Sequence, residues 1–144
     1  MGFKWNEKFA TGIKVIDEEH QQLFFLGNQL VNVISEVREG MDKYDKIMEV
    51  LAELKSYTIY HFRHEEGLMK KADYEDYAEH KEYHEYFINK LDEIEFQNID
   101  YNQDKAALGI LEFLADWIKN HIVKTDRKYI KVLIEKGLVD ANPI

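Results

Sequence analysis

The sequence predicts an all-α protein: a single domain over residues 1–144, folded as an antiparallel up-down-up-down four-helix bundle with an N-terminal arm. Helix breakers are scarce, since the chain has one proline and seven glycines among 144 residues. Four segments repeat apolar residues at spacings of three and four, which is typical of amphipathic helices. Short connections between four such helices favour antiparallel neighbours.

The arm is expected over residues 1–16 and the first helix over about 17–39. Asp17 can cap this helix, because a carboxylate accepts the backbone N–H groups left unpaired in the first turn. Gly40 can end it, since glycine tolerates the left-handed conformation of a helix end. The residues expected to face the core are His20, Leu23, Phe24, Gly27, Leu30, Val31 and Ile34.

The second helix is expected over about 42–70, beginning near Asp42, and the third over about 74–96, with a short turn at 71–73 between them. The core-facing residues predicted for the second helix are Ile47, Leu51, Leu54, Thr58, His61, Phe62, Glu65 and Met69. Those predicted for the third are Tyr77, His80, His84, Phe87, Leu91 and Ile94.

The fourth helix is expected over about 104–136, after a polar connection at 97–103. Gly137 can close it, and residues 137–144 form a tail. The residues expected to face the core are Ala107, Ile110, Leu114, Trp117, His121 and Ile122.

Charge and composition exclude several functions. The chain carries 28 acidic and 19 basic residues, a net charge of −9, which disfavours nucleic acid and anionic membrane surfaces as partners. It has no cysteine, which excludes disulfides, thiolate metal sites and cysteine nucleophiles. No apolar stretch reaches the ~20 residues needed to cross a bilayer, and no signal peptide is recognised. We therefore expect a cytoplasmic protein without membrane insertion.

Ionisable residues interrupt every apolar face. His61 and Glu65 are four residues apart, as are His80 and His84, so each pair shares one helix face. His121 and Asp126 are five residues apart, which a regular α-helix does not align. Either the carboxylate swings back, or the helix widens locally into a π-type turn, a feature frequent at functional sites.

A metal site accounts for this pattern better than ordinary packing does. A single buried histidine is more often a hydrogen-bonded core residue, but here five of six histidines fall on inward faces; only His64 lies off its face, as an outer residue. Five imidazoles and two carboxylates exceed one tetrahedral zinc ion and are too rich in nitrogen for calcium or magnesium. Two first-row metal ions, iron foremost, fit the donor set.

These residues resemble the hemerythrin family, specifically the single-domain bacterial hemerythrins. The resemblance covers about residues 3–135, including the arm with Trp5 and Gly12. The matching motifs are Ile16-Asp17-Glu18-Glu19-His20-Gln21-Gln22-Leu23, His61-Phe62-Arg63-His64-Glu65-Glu66, His80 with His84, and His121 with Asp126.

The resemblance implies a non-haem di-iron centre, bridged by an oxo or hydroxo group, that binds O₂ reversibly for transport, storage or delivery. The resemblance implies that one iron is bound by His80, His84 and His121 and the other by His20 and His61, while Glu65 and Asp126 bridge them. One coordination position, on the iron with two histidines, is left for O₂. The matching O₂ pocket consists of Leu23, Phe62, Trp117, Ile118 and Ile122.

Two other functions remain as alternatives. A di-iron redox enzyme (a peroxidase, an oxidase or a nitric-oxide-handling protein) is less favoured, because the Glu-x-x-His motif of ferritin-like oxidases is absent from the chain. A sensor of O₂ or redox state would need a separate partner protein. We expect no catalytic residues and a monomer, with an oligomer as the alternative; the sequence does not identify a recipient of O₂.

Overall fold

The structure, a computed structural model, describes residues 3–36, 44–95 and 103–138, and within these ranges its regular elements are all helical. A 3₁₀ turn at Glu7–Phe9 precedes the helices. These are α1 (Lys14–Glu36), α2 (Tyr44–Lys71), α3 (Tyr77–Glu95), α4 (Gln103–Trp117), a π-helical segment (Ile118–Thr125) and α5 (Asp126–Glu135). The last three follow one another without a gap and form one composite fourth helix. Across the described ranges, no helix is long and apolar enough to cross a membrane.

The start of α1 differs from the prediction. The helix begins at Lys14, so Asp17 lies inside its first turn and is not the cap. The Asp17 carboxylate instead accepts hydrogen bonds from the backbone N–H and the hydroxyl of Thr11, both at 2.8 Å. The sequence therefore identified an acceptor near the helix start but placed the start three residues too late.

Two residues with positive φ set the ends of helices. Gly137 has φ 69°, and the N–H of Leu138 then bonds the carbonyl of Leu133 at 3.0 Å, which closes α5 as predicted. Asp73 has φ 48° and ends the turn that follows α2. Residues 74–76 follow this turn and do not belong to a helix. α3 begins at Tyr77, so the predicted start at residue 74 was wrong by three residues.

Consecutive helices are antiparallel, as two apolar clusters on either side of a polar layer demonstrate. The larger cluster uses residues 23–33 of α1, 47–62 of α2, 87–91 of α3 and 107–122 of the composite helix. The smaller cluster uses Ile13, Ile16, Met69, Ala72, Tyr129, Ile130 and Leu133, with Tyr77 packed against it. It therefore combines the beginnings of α1 and α3 with the ends of α2 and the composite helix. The predicted four-helix bundle is confirmed.

The predicted core faces are largely buried. Thr58, the polar exception in α2, is fully buried because its hydroxyl bonds the carbonyl of Leu54 at 2.6 Å. Val31 and Tyr77 are only partly buried. The predictions for Gly40, Asp42, the side chains of Ile34 and Ile94, most of the 97–103 connection and the tail beyond residue 138 lie outside the described residues.

Candidate metal centre

The seven predicted ligands converge in the polar layer between the two apolar clusters. Five of them, Glu65, His80, His84, His121 and Asp126, offer ligand atoms within 4.8 Å of one another. Four of them, His20, His61, Glu65 and Asp126, form a second such group. The two groups share both carboxylates, and all seven residues are at most 4 % exposed.

The five imidazoles all direct Nε2 toward a shared carboxylate. Around Asp126, the Nε2 atoms of His121, His80 and His20 lie 2.9, 3.0 and 3.3 Å from carboxylate oxygens. Around Glu65, the Nε2 atoms of His61 and His84 lie 2.9 and 3.6 Å from Oε1. The carboxylates therefore lie between the two sets of histidines, as bridging ligands would.

The π-helical segment aligns His121 with Asp126. The backbone N–H of Asp126 bonds the carbonyl of His121, five residues earlier, instead of the carbonyl four residues earlier. The wider turn places the two side chains over one another, and their Nε2 and Oδ1 atoms are 2.9 Å apart. Of the two interpretations of this spacing, the structure therefore supports the π-type turn.

Buried polar atoms in this layer lack hydrogen bonds, which tests whether metal ions fit. The atoms without a hydrogen-bond partner include Nε2 of His20, His80, His84 and His121, Oε1 of Glu65 and both carboxylate oxygens of Asp126. Leaving a buried polar group unsatisfied costs about 1–3 kcal/mol. Because these atoms face one another and are all nitrogen or carboxylate oxygen donors, two first-row metal ions fit the site.

Outer hydrogen bonds orient two of the predicted ligands, His61 and His84. Glu19 accepts from Nδ1 of His61 at 2.6 Å and from Nδ1 of His64 at 2.7 Å, so His64 is an outer residue linked to the site. Glu66 lies 2.9 Å from Nδ1 of His84. Such carboxylate–histidine contacts fix the ring orientation and leave Nε2 available for a metal.

Tyr129 contacts the second oxygen of the Glu65 carboxylate. Its fully buried hydroxyl donates a hydrogen bond to Oε2 of Glu65. The sequence analysis assigned no role to this residue, or to Glu19 and Glu66. Extending the face of the fourth helix by three residues beyond Asp126 would have identified Tyr129. Glu19 lies three residues after Ile16 and four before Leu23, so helical spacing places it on the inward face, unlike the exposed Glu18 beside it.

Electrostatics keep the two shared carboxylates, Glu65 and Asp126, ionised in the metal-free protein. Burial raises the pKa of Glu65, as does Asp126, but His61 and His84 outweigh them and lower it to about 2. The histidines around Asp126 likewise overcome its burial and hold its pKa well below the ordinary value. Burial lowers the pKa of His84, which keeps this imidazole neutral and able to bind a metal. Burial also lowers the pKa of His61, but Glu65 and Glu19 dominate and raise it to about 10.

Aromatic rings of the larger apolar cluster cover the site. The Phe62 ring stacks on His84 at 3.8 Å, and the Trp117 ring stacks on His121 at 4.1 Å. Within the same cluster lie Leu23, Ile118 and Ile122, so all five residues predicted for the O₂ pocket belong to one buried group. Their role in binding O₂ stays a prediction.

Comparisons with known proteins agree on one relationship. Residues 11–133 match the family model described as the hemerythrin HHE cation binding domain. A bacteriohemerythrin from Clostridium acetobutylicum is 40% identical over 128 residues, which are 89% of this chain and 98% of that protein. Hemerythrin subunit alpha of Lingula anatina is 35% identical over 88% of this chain and 92% of its own length. A wild-type hemerythrin crystal structure aligns with a TM-score of 0.72 at 28% identity, covering 90% of this chain and 96% of that one.

Proposed function

Because the chain belongs to the hemerythrin family, we propose that its seven buried histidine and carboxylate residues hold two iron ions. Proteins of this family bind O₂ at a di-iron site. The observation that supports the assignment is the pair of ligand groups that share Glu65 and Asp126. We propose reversible O₂ binding, for transport, storage or delivery, as the function of this chain.

Each residue has a defined part in holding the metal. His80, His84 and His121 hold one iron ion, and His20 and His61 hold the other. Glu65 and Asp126 would hold both ions, since both groups contain them. Their ionised state helps to balance the positive charge of two metal ions in a buried site.

O₂ would be received on the side of His20 and His61. This group has one histidine fewer than the other, so fewer coordination positions are taken by the protein. A pair of iron(II) ions supplies the electrons that O₂ binding requires, which the side chains themselves do not. Leu23, Phe62, Trp117, Ile118 and Ile122 form an apolar cover that excludes water from the site; all are at most 8 % exposed.

Outer carboxylates keep the imidazoles in the orientation that binds metal. Glu19 accepts a hydrogen bond from Nδ1 of His61 and therefore holds the ring in the orientation in which Nε2 faces the Glu65 carboxylate. Glu66 does the same for His84. The hydroxyl of Tyr129 fixes the remaining oxygen of Glu65. These residues position the ligands and do not themselves contact O₂.

The carrier function is tested by recording visible absorption while O₂ is added and removed. The iron-loaded protein is reduced under anaerobic conditions, exposed to air and then purged with argon. Reversible binding predicts an absorption band that appears with O₂ and disappears on purging over repeated cycles. Irreversible oxidation in the first cycle would contradict carriage and favour the redox-enzyme alternative. Absence of any iron-dependent spectrum would contradict the metal assignment itself.

A further inference from the structure

A surface cleft of about 630 Å³ lies between the N-terminal arm and the π-helical segment. Phe9 and Phe24 line it on the arm and α1 side, and Ile118 and Val123 line it on the π-helical side. Its size is within the range of pockets that bind small molecules, roughly 300–1,000 Å³. None of the seven proposed iron ligands lines it.

Four lysines surround this apolar cleft. Lys4 and Lys8 belong to the arm, and Lys119 and Lys124 belong to the π-helical segment. The last two are five residues apart, a spacing that the wider π turn brings onto one face. All four are exposed, and no ion pair with a carboxylate is found for them among the described residues. In a chain of net charge −9, this is a local concentration of unpaired positive charge.

The arm wall of the cleft is fixed at both ends. At one end, the backbone N–H of Phe3 donates to Asn28 at 2.8 Å, and the Asn28 amide donates to the Phe3 carbonyl at 2.7 Å. At the other end, Arg127 donates to the carbonyls of Lys8 and Ala10. A wall held in this way lowers the ordering cost of binding a ligand.

We propose that this cleft binds a small amphipathic carboxylate, such as a medium-chain fatty acid. The aliphatic chain lies on the apolar surface of Phe9, Phe24 and Ile118, and the carboxylate lies among the four lysine ammonium groups. Charge complementarity selects an anion, because the described lining contains four lysines and no acidic residue. The apolar floor selects a ligand with a hydrocarbon body over a simple inorganic anion.

Calorimetric titration of the iron-loaded protein with dodecanoate, kept below its micelle concentration, tests the proposal. The expected result is saturable binding of one dodecanoate per chain that weakens as salt is raised, because the lysine contacts are solvent-exposed. Dodecanol, which has the same chain without the charge, is expected to bind at least about tenfold more weakly. Absence of saturable dodecanoate binding overturns the proposal, as does binding only to vesicles of anionic phospholipid, which indicates a membrane surface instead.

Surface variants locate the site. The double substitution Lys119→Gln with Lys124→Gln is expected to weaken dodecanoate binding about tenfold, since it removes two of the four charges. The matched control is Lys128→Gln with Lys131→Gln, two exposed lysines of α5 that do not line the cleft. Ala115→Phe, which fills the cleft from an exposed position, is expected to reduce binding by a similar factor. Equal affinity in the double variant and its control overturns the proposal.

Discussion

Glu19 joins the metal centre to the surface, because its two oxygens contact His61 inside and His64 outside. A buried carboxylate that accepts from Nδ1 of a ligand histidine raises the basicity of that ligand and fixes its ring. Glu19 is 5 % exposed, so water does not readily replace it. The contribution of this residue is therefore expected to exceed that of His64.

We predict that Glu19→Gln weakens iron binding about 10–100-fold, the usual effect of losing such an outer contact. The competition of a chelator with the protein for iron(II) measures this. Glu18→Gln is the matched control, because Glu18 is the neighbouring acidic residue, is exposed, and pairs with the exposed Lys14 at 3.9 Å. Equal iron affinity in the two variants would show that the Glu19–His61 contact does not support the metal.

The two histidines of α2 provide a second comparison. His61→Ala is expected to lower the iron content from about two ions per chain to about one, because it removes one of only two histidines on that side. His64→Ala is expected to leave both iron binding and O₂ binding nearly intact, since the His64 side chain is 32% exposed and water can replace it beside Glu19. Iron analysis of the purified variants measures the first effect and O₂-dependent absorption the second. Similar losses in both variants would contradict the assignment.

Acid is expected to destabilise the metal-free protein. The pKa of Glu65 is about 2 in the fold, below its ordinary value. The ionised Glu65 therefore adds to the free energy of unfolding at neutral pH, and this stabilisation is lost as pH falls from about 4.5 toward 2. The pKa of His84 is also lowered, so protonation of this residue in the unfolded chain begins to reduce stability below about pH 6.5. The raised pKa of His61 stabilises the fold fully below about pH 6.5, so it does not change the trend at lower pH. Urea midpoints at pH 6, 5 and 4 should therefore decrease in that order. A constant or rising midpoint would contradict these shifts.

The residues of the centre were predictable to different degrees. Six of the seven proposed ligands were found from sequence because a polar residue on an apolar helix face is visible in the spacing. Asp126 lies off that face on regular α-helix geometry and was retained because its five-residue separation from His121 is compatible with a π-type turn. Glu19, Glu66 and Tyr129 were given no role, since their hydrogen-bond partners lie on other helices; the spacing of Glu19 and Tyr129 indicates an inward position but not which residue each contacts. Asp17 was recognised as an acceptor, but its partner Thr11 lies in the arm, where sequence offers no periodicity.

At the scale of the elements, the sequence pattern indicated an irregularity in the composite fourth helix. The five-residue spacing of His121 and Asp126 conflicts with a regular α-helix, and the structure resolves the conflict with the π-helical segment. The choice between a π turn and a displaced carboxylate could not be made from sequence, because both bring the same atoms together. The π turn also determines which residues of Ile118–Thr125 face the cleft.

The helical glycines Gly27 and Gly67 are expected to respond in opposite ways to alanine. A Cβ on Gly67 meets nothing within 4 Å, so Gly67→Ala should raise the free energy of unfolding by about 0.5–1 kcal/mol, the usual helix preference for alanine. A Cβ on Gly27 would lie 2.8 Å from the Phe3 ring, so Gly27→Ala should gain less or lose stability as the arm is displaced. Urea denaturation of the two variants measures the difference, and an equal gain in both would show that the arm does not pack tightly on α1.

At the scale of the whole molecule, the bundle surrounds its polar layer with apolar residues on both sides. Ligands come from all four helices, so the site forms only when the helices assemble. The fold class followed from the sequence because four long amphipathic segments with short connections leave few alternatives. The way the arm packs against α1 and α5 did not, because it depends on contacts such as that of Arg127 with Lys8, 119 residues apart.

Metal removal is expected to weaken the fold. The metal-free bundle keeps the seven proposed ligands in its interior with several polar atoms unsatisfied, and binding free energy at such a site is also folding free energy. The iron-loaded protein should therefore melt at a higher temperature than protein treated with chelator, and reloading with iron should restore the difference. Identical melting of the two forms would indicate that the site does not bind metal in the folded state.

The anomalous scattering of iron in crystals of the loaded protein tests the central claim most directly. We predict two iron peaks per chain, one beside His80, His84 and His121 and the other beside His20 and His61, with Glu65 and Asp126 between them. Data collected above and below the iron absorption edge identify the element. One peak, or peaks that do not contact both carboxylates, would contradict the account.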